Sequence, residues 1–218
     1  MEEPKISRGQ SKLLADTKYV KLYDLAYQNG VHYYDASRRD ADRLFAFKQE
    51  KELGTALPDA ACAIVIIKER GEEEKLLLFY EYRYPAGSYL LGVPAGLIDP
   101  ADLASPDPIK TAMIREIKEE TGLSIGEGDT VEVINPLVFT ASGFSDESNA
   151  IVKAVVHVDD LSALNHQGAE GTEVFGNFKL VSRDEARRLL QAGRDDYGHY
   201  LPLVTWGALC YFVSDLWK

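Results

Sequence analysis

Three glutamates fall within five residues of the stretch REIKEETGL, namely Glu116, Glu119 and Glu120 between Arg115 and Leu123. Where a helix puts them constrains the folds open to this chain. The pattern predicts a helix from about Ile109 to Thr121, ended by Gly122 just beyond its last turn. At about 100° per residue, with Met113 set at zero, Ile109 falls near −40° and Ile117 near +40°, which defines the apolar stripe. Glu120 then falls near about −20° and Glu116 near about −60°, on or beside that stripe, with Glu119 bordering them at about −120°. Exposed like charges four apart on a helix repel by about 0.2–0.5 kcal/mol. An ionised carboxylate beside a core must be paired or bound to a metal. Arg115 can pair with Glu119 at i,i+4, but one guanidinium cannot neutralise three carboxylates. On geometry alone two readings stay open: a solvated acidic helix end, or a site for a hard divalent cation such as Mg²⁺ or Mn²⁺ held through oxygen ligands.

The segments around this helix read as a mixed α and β chain. The stretches YVKLYDLAYQ and VHYYDASRR flank Asn29-Gly30, a dipeptide that favours a type I′ hairpin, and RLFAFKQ reads as a third strand. The polar stretch EKELGTALPD is taken as a joint, which divides the chain into an N-terminal β-sheet segment, 1–56, and a main domain, 57–218. Strands are expected at AACAIVIIKE, KLLLFYEYRY, TVEVINPLVFT, AIVKAVVHV and EVFGNFKLV. A capped helix is expected at SRDEARRLLQAG, with Ser182 as N-cap and Glu185 completing a capping box. Leu203–Leu216 reads as a last amphipathic helix. This order suggests an α/β sandwich rather than a doubly wound parallel sheet.

Charge and composition exclude several classes. With 35 acidic against 24 basic residues and a net charge of −11, the surface repels nucleic-acid backbones and anionic membranes. An anionic ligand therefore needs local positive charge or a metal. No apolar run approaches the roughly 20 residues that span a bilayer, and the first residues lack the layout of a secretion signal. Cys62 and Cys210 sit in apolar surroundings and read as buried thiols. The expected location is cytoplasmic. No P-loop, dinucleotide fingerprint or GxSxG elbow is present, and His32, His157, His166 and His199 show no zinc spacing.

The acidic segment resembles the Nudix box, whose pattern is Gly, five residues, Glu, seven residues, then Arg-Glu-apolar-x-Glu-Glu-x-Gly-apolar. Arg115, Glu116, Ile117, Glu119, Glu120, Gly122 and Leu123 match it, and Gly96 of PAGLID supplies the leading glycine. Two departures stand out. Arg115 follows Gly96 by 19 residues rather than 14, an insertion of about five within PADLASPDP, and Asp107 stands where the early glutamate belongs. The resemblance implies a Nudix α/β/α sandwich with a mixed sheet, plus a small N-terminal antiparallel sheet. It further implies Mg²⁺, with Mn²⁺ as the alternative, held by Glu116 and Glu120, helped by Glu119, and by the carbonyl of Ala95.

Similarity beyond the box points to the ADP-ribose pyrophosphatase-like branch. EYRYPAGSYLLGVPAGLID resembles the "QYR-P … PAGLID" stretch of such hydrolases, which implies that Arg83 grips the phosphate or ribose end of the substrate; guanidinium forks suit phosphate oxygens. Gly92 replaces a glutamate usual there. FTASGFSDESNAI resembles the loop "SPG-x-S-x-E". Gly143 is assigned by that likeness to substrate binding and Glu147 to metal binding or general-base work, while Ser142 replaces the branch's proline. YYDASRR occupies the region through which relatives form intertwined dimers, so Arg38 or Arg39 is expected to reach a partner's nucleotide. The implied reaction is hydrolysis of the pyrophosphate of a nucleoside diphosphate sugar, ADP-ribose to AMP and ribose 5-phosphate first, with Glu147 or a box glutamate as base and Arg115 orienting Glu119. The alternatives are a UDP- or GDP-sugar as substrate, or a Nudix-fold binding or regulatory protein that has lost catalysis.

Overall fold

The computed structural model describes Pro4, Ile6 and residues 8–48, 50–168 and 173–218. The chain forms two compact units, residues 1–59 with Pro136–Asn149, and Ala60–Asn135 with Ala150–Lys218.

In the first unit, β1 (Lys12–Asp16), β2 (Lys21–Ala26) and β3 (His32–Ser37) make a three-stranded antiparallel sheet in that order. The expected third strand at RLFAFKQ is instead a 3₁₀ turn, Phe45–Phe47, and Lys12–Asp16 takes the edge position. Phe45 is buried there and its N–H donates to Asp146 Oδ2 at 3.1 Å, so the aromatic alternation of this stretch reflects packing rather than pairing. The hairpin between β2 and β3 is also wider than a two-residue turn. A 3₁₀ turn at Gln28–Gly30 is closed by Tyr27 N–H donating to Val31 O at 2.7 Å, and Gly30 takes the left-handed conformation at φ 72°. Ala26 pairs with His32, so five residues rather than two make the connection. A short helix, α1 (Glu50–Leu53), closes this part of the chain.

The second unit is built on a mixed sheet. Its strands are β4 (Ala60–Glu69), β5 (Lys75–Arg83), β6 (Ser88–Gly92), β7 (Ala95–Leu97), β8 (Thr130–Phe139), β9 (Ser148–Val158) and β10 (Phe175–Val181). The central order is β10-β5-β4-β9-β8, with β6 on β5 and β7 on β4. Alternation along β4 divides two cores. Ala61, Ala63, Val65 and Ile67 pack with Leu77 of β5 and with Ile109, Met113 and Ile117 of α2 (Pro108–Thr121). Cys62, Ile64 and Ile66 point the other way, onto Leu189 of α3 (Arg183–Ala192) and Leu209 and Phe212 of α4 (Leu203–Val213). A strand buried on both faces needs a helix layer on each side, and the result is an α/β/α sandwich. No helix of the described residues is long and apolar enough to cross a membrane. Cys62 is a buried and Cys210 a half-buried free thiol.

The helix ends follow local chemistry. Asp107 is the N-cap of α2, its Oδ1 accepting from Lys110 N–H at 3.1 Å, and Pro108 follows at the first helical position; both are favoured helix starts. Gly122 closes α2 at φ 75°, donating to Lys118 O at 2.9 Å. Ser182 caps α3 through Glu185 N–H at 3.2 Å, while the Glu185 carboxylate pairs with Lys179 at 2.6 Å.

Candidate active site

Several acidic residues of the second unit meet along the C-terminal part of α2. Glu120 is 3% exposed among the apolar residues of the helix face, where the 100° spacing places it. Its Oε2 accepts the backbone N–H of Ala95, at the start of β7, at 2.9 Å. That bond does not offset its burial: desolvation, reinforced by the charges of Glu116, Glu81 and Glu173, pushes its pKa up to about 9. The Glu116 pKa is raised too, first by burial, with Glu119 and Glu173 adding to it against the opposing Arg115. A carboxylate this far from water with like charges around it holds a proton or calls for a cation.

Arg115 supplies part of that cation. Its Nη1 donates to Glu116 Oε1 at 2.7 Å and to Glu119 Oε2 at 3.1 Å, and its Nη2 to Asp102 Oδ2 at 3.0 Å and Leu97 O at 3.1 Å. Burial alone would lower the Arg115 pKa, but Asp102 and Glu116 outweigh it and the net shift is upward. Glu120 is the acid that Arg115 does not hold.

Gly96 leaves room for this arrangement. A Cβ added there would lie 1.9 Å from Glu116 Oε1 and 2.0 Å from its Cδ, so the carboxylate occupies the space a side chain would take. Among the described residues no three His, Cys, Asp or Glu side chains already converge as a closed ligand set. The donors present are nevertheless those of a hard divalent cation: carboxylate oxygens of Glu116, Glu119 and Glu120, with the backbone of Ala95 adjoining.

Two further acids belong to this cluster and were not singled out from sequence. Glu81 of β5 is 9% exposed and pairs with Arg83, Nη2 to Oε2, at 2.7 Å. Glu173, just before β10, raises the pKa of Glu81, Glu116 and Glu120 through its charge. The alternation of β5 is the signal that could have found Glu81, because it falls in register with buried Leu77 and Phe79.

The remaining residues expected in the site lie in the first unit. Glu147 accepts from Arg38 Nε at 2.9 Å and from Thr140 Oγ1 at 3.2 Å. Gly143 is exposed, and its carbonyl accepts from Tyr33 OH at 2.5 Å. Arg39 is 8% exposed. It pairs with Asp59 at 2.7 Å, donates to Asp146 O and Ser148 Oγ at 3.1 Å each, and stacks over Phe45 at 4.1 Å. Its guanidinium is thus committed inside this unit, whereas neighbouring Arg38 is about one-third exposed at 34%.

A carboxylate-bearing helix clipped to a short strand by Arg115, inside an α/β/α sandwich, is the arrangement of a Nudix-type domain. Residues 56–204 match the NUDIX domain, and the chain belongs to that family. Among curated relatives, an ADP-sugar pyrophosphatase of Mus musculus is 32% identical over 140 residues, 64% of this chain and 60% of its own. An ADP-ribose pyrophosphatase of Saccharomyces cerevisiae is 28% identical over 157 residues, 71% of this chain and 61% of its own. A putative nudix hydrolase 2 of Caenorhabditis elegans is 36% identical over 104 residues, 48% of this chain and 42% of its own. The matched stretches thus span roughly two-fifths to three-fifths of these relatives' lengths. The crystal structure of an ADP compounds hydrolase shares the fold, with a TM-score of 0.55 at 18% identity over 98% of this chain and 96% of that one.

Proposed function

We propose that this chain hydrolyses the pyrophosphate bond of a nucleoside diphosphate sugar, with ADP-ribose the first candidate, giving AMP and ribose 5-phosphate. The observation that carries the reading is Glu120, buried and uncompensated beside Glu116 on the helix that faces Gly96. The ADP-ribose and ADP-sugar pyrophosphatases among its relatives support the substrate class.

Glu116 and Glu120, with Glu119 and the Ala95 carbonyl, would hold Mg²⁺ or Mn²⁺. When bound, the cation neutralises the pyrophosphate and lowers the pKa of water. The chain's own part is positional. Arg115 fixes Glu116 and Glu119 and ties the Leu97–Asp102 segment to the helix. Arg83, half exposed, can present guanidinium N–H groups to phosphate oxygens. Glu147 keeps the proton-accepting role implied for the loop glutamate, and Gly143 the substrate contact. A second copy joined through the N-terminal sheet is part of the reading, supported by the exposure of Leu13, Leu14, Leu22 and Tyr34 on its strands.

The deciding assay is AMP release from ADP-ribose with Mg²⁺ and, separately, with Mn²⁺, beside UDP- and GDP-sugars, with Glu120→Gln as control. Turnover of ADP-ribose that the substitution abolishes upholds the proposal. Turnover of only another sugar nucleotide replaces the substrate, and no turnover with either metal leaves a Nudix-fold binding protein.

A further inference from the structure

Glu81 is the one charged side chain in the buried run of β5 from Leu76 to Glu81. Alternation puts it on the α2 side of the sheet with Leu77 and Phe79, and puts Arg83 two residues further along the same face. Here an apolar residue would cost nothing, and a carboxylate must desolvate. Its partner is specific: the Glu81–Arg83 pair closes at 2.7 Å, with the Glu81 side chain 12% and the Arg83 side chain 51% exposed. One end of the guanidinium is therefore held from the protein interior while the rest of it meets solvent.

We infer that Glu81 is a positioning residue, which fixes Arg83 before a pyrophosphate arrives and so sets the affinity for that group. The inference rests on the proposed pyrophosphate chemistry. Arginine has considerable rotamer freedom to lose on binding, and immobilising it beforehand removes that cost from the binding step. Nη2 carries two N–H groups, so the one not donated to Glu81 is left to make a forked contact to two oxygens with its neighbour on Nε or Nη1. Arg115 is already engaged by four carboxylates, Asp99, Asp102, Glu116 and Glu119. It therefore cannot serve as this grip, and the division of labour between the two arginines follows from their partners.

The charge of Glu81 acts in the opposite sense, because it repels an anion, and this makes the inference decidable by sign. The probe is methylenediphosphonate, a non-hydrolysable pyrophosphate analogue, titrated by calorimetry at a fixed excess of Mg²⁺. Glu81→Leu, which keeps bulk without an acceptor, should weaken binding about tenfold, the scale of one hydrogen bond to a charged group. Glu81→Gln, whose Oε1 still accepts from Arg83, should stay within about threefold of the unsubstituted protein. In an Arg83→Ala background Glu81→Leu should have no further effect. With a substrate that turns over, Glu81→Leu should raise KM more than it lowers kcat. Mn²⁺ affinity measured by electron paramagnetic resonance should shift equally in the two variants, since both remove the same charge from beside Glu120, and melting curves identify any variant that fails to fold. Glu81→Gln covers the case in which the leucine does.

Tighter binding by both variants would reduce Glu81 to a repelling charge and overturn the inference. Additive effects with Arg83→Ala, unequal Mn²⁺ affinities in Glu81→Leu and Glu81→Gln, or no analogue binding by the unsubstituted protein would overturn it too. Failure of the functional proposal shows separately, as absence of turnover of every sugar nucleotide while the analogue cycle still couples the two residues.

Discussion

Replacing Gly96 by alanine tests whether Glu116 is placed by the backbone opposite it. The added Cβ would lie 1.9 Å from Oε1, 2.0 Å from Cδ and 2.6 Å from Oε2 of Glu116. Carbon and oxygen need about 3.4 Å, so the carboxylate must retreat by about 1.5 Å. It is the end of a flexible side chain, so the fold can survive. The retreat breaks the 2.7 Å bond from Arg115 Nη1. One charged hydrogen bond at a part-buried site corresponds to about 1–2 kcal/mol, or a fall in Tm of about 2–8 °C for a chain of this size. Function should suffer far more, since a ligand misplaced by about 1 Å costs about 100-fold in rate.

The expected result for Gly96→Ala is therefore a small loss of Tm, about 100-fold lower kcat/KM and at least tenfold weaker Mn²⁺ binding. Gly92→Ala is the control, because its Cβ would meet only Phe79 O, at an ordinary 3.8 Å. Metal affinity unchanged in a well-folded Gly96→Ala protein would refute the placement of Glu116. Global unfolding would refute it differently, by showing that the backbone rather than the carboxylate is in conflict.

Other consequences can be measured on the same protein. Glu120→Gln removes a buried carboxyl whose pKa lies at about 9; without metal its Tm should match or exceed that of the unsubstituted protein, while Mn²⁺ binding is lost, and a large loss of Tm would count against an uncompensated carboxylate. Asp35, buried beside Asp146, has its pKa raised to about 6 by desolvation first and then by Asp146, against Asp146 N–H and Arg39. A folded pKa above the unfolded one means stability that is full at low pH and falls as pH rises from about 4 to about 6. Between the ordinary carboxylate value and about 6 the loss amounts to about 3 kcal/mol. Asp35→Asn should recover that amount in urea unfolding at pH 7.5 and little at pH 4, and equal effects at both would exclude titration as the cause. Gly122→Ala should cost about 2–4 kcal/mol, since φ is 75° and its Cβ would lie 2.2 Å from Asn165 Nδ2 and 2.6 Å from Ala163 O; a Tm within a degree of the unsubstituted protein would show that the loop yields freely.

What could be read from the sequence separates from what could not by the distance over which each cause acts. Helical periodicity and terminal residues are local, so the limits of α2, the cap at Gly122 and the burial of Glu120 follow directly from residues 107–122. Of the three N-terminal strands only the third lies elsewhere than expected, because Phe45 and Phe47 mimic strand alternation, while Lys12–Asp16 is exposed at all five positions and carries no alternation to read. Glu81 and Glu173 join the site only through the pairing of β5 with β10, where Phe175 stands opposite Glu81. No spacing rule links residues so far apart. The insertion between Gly96 and Arg115 is the instructive case. Counted along the chain it looks like damage to the Nudix pattern, yet within it Asp102 is 4% exposed and its Oδ2 accepts from Asp99 N–H at 2.9 Å and Arg115 Nη2 at 3.0 Å. The extra residues thus supply a carboxylate that anchors the arginine from the side opposite Glu116 and Glu119. Asp107, the apparent substitute for a glutamate, is used as the helix cap instead. A longer loop costs little closure entropy, and this one returns an ion pair to the residue that orders the site. In this chain the longer spacing leaves Arg115 a buried partner on each side, Asp102 on Nη2 and Glu116 on Nη1.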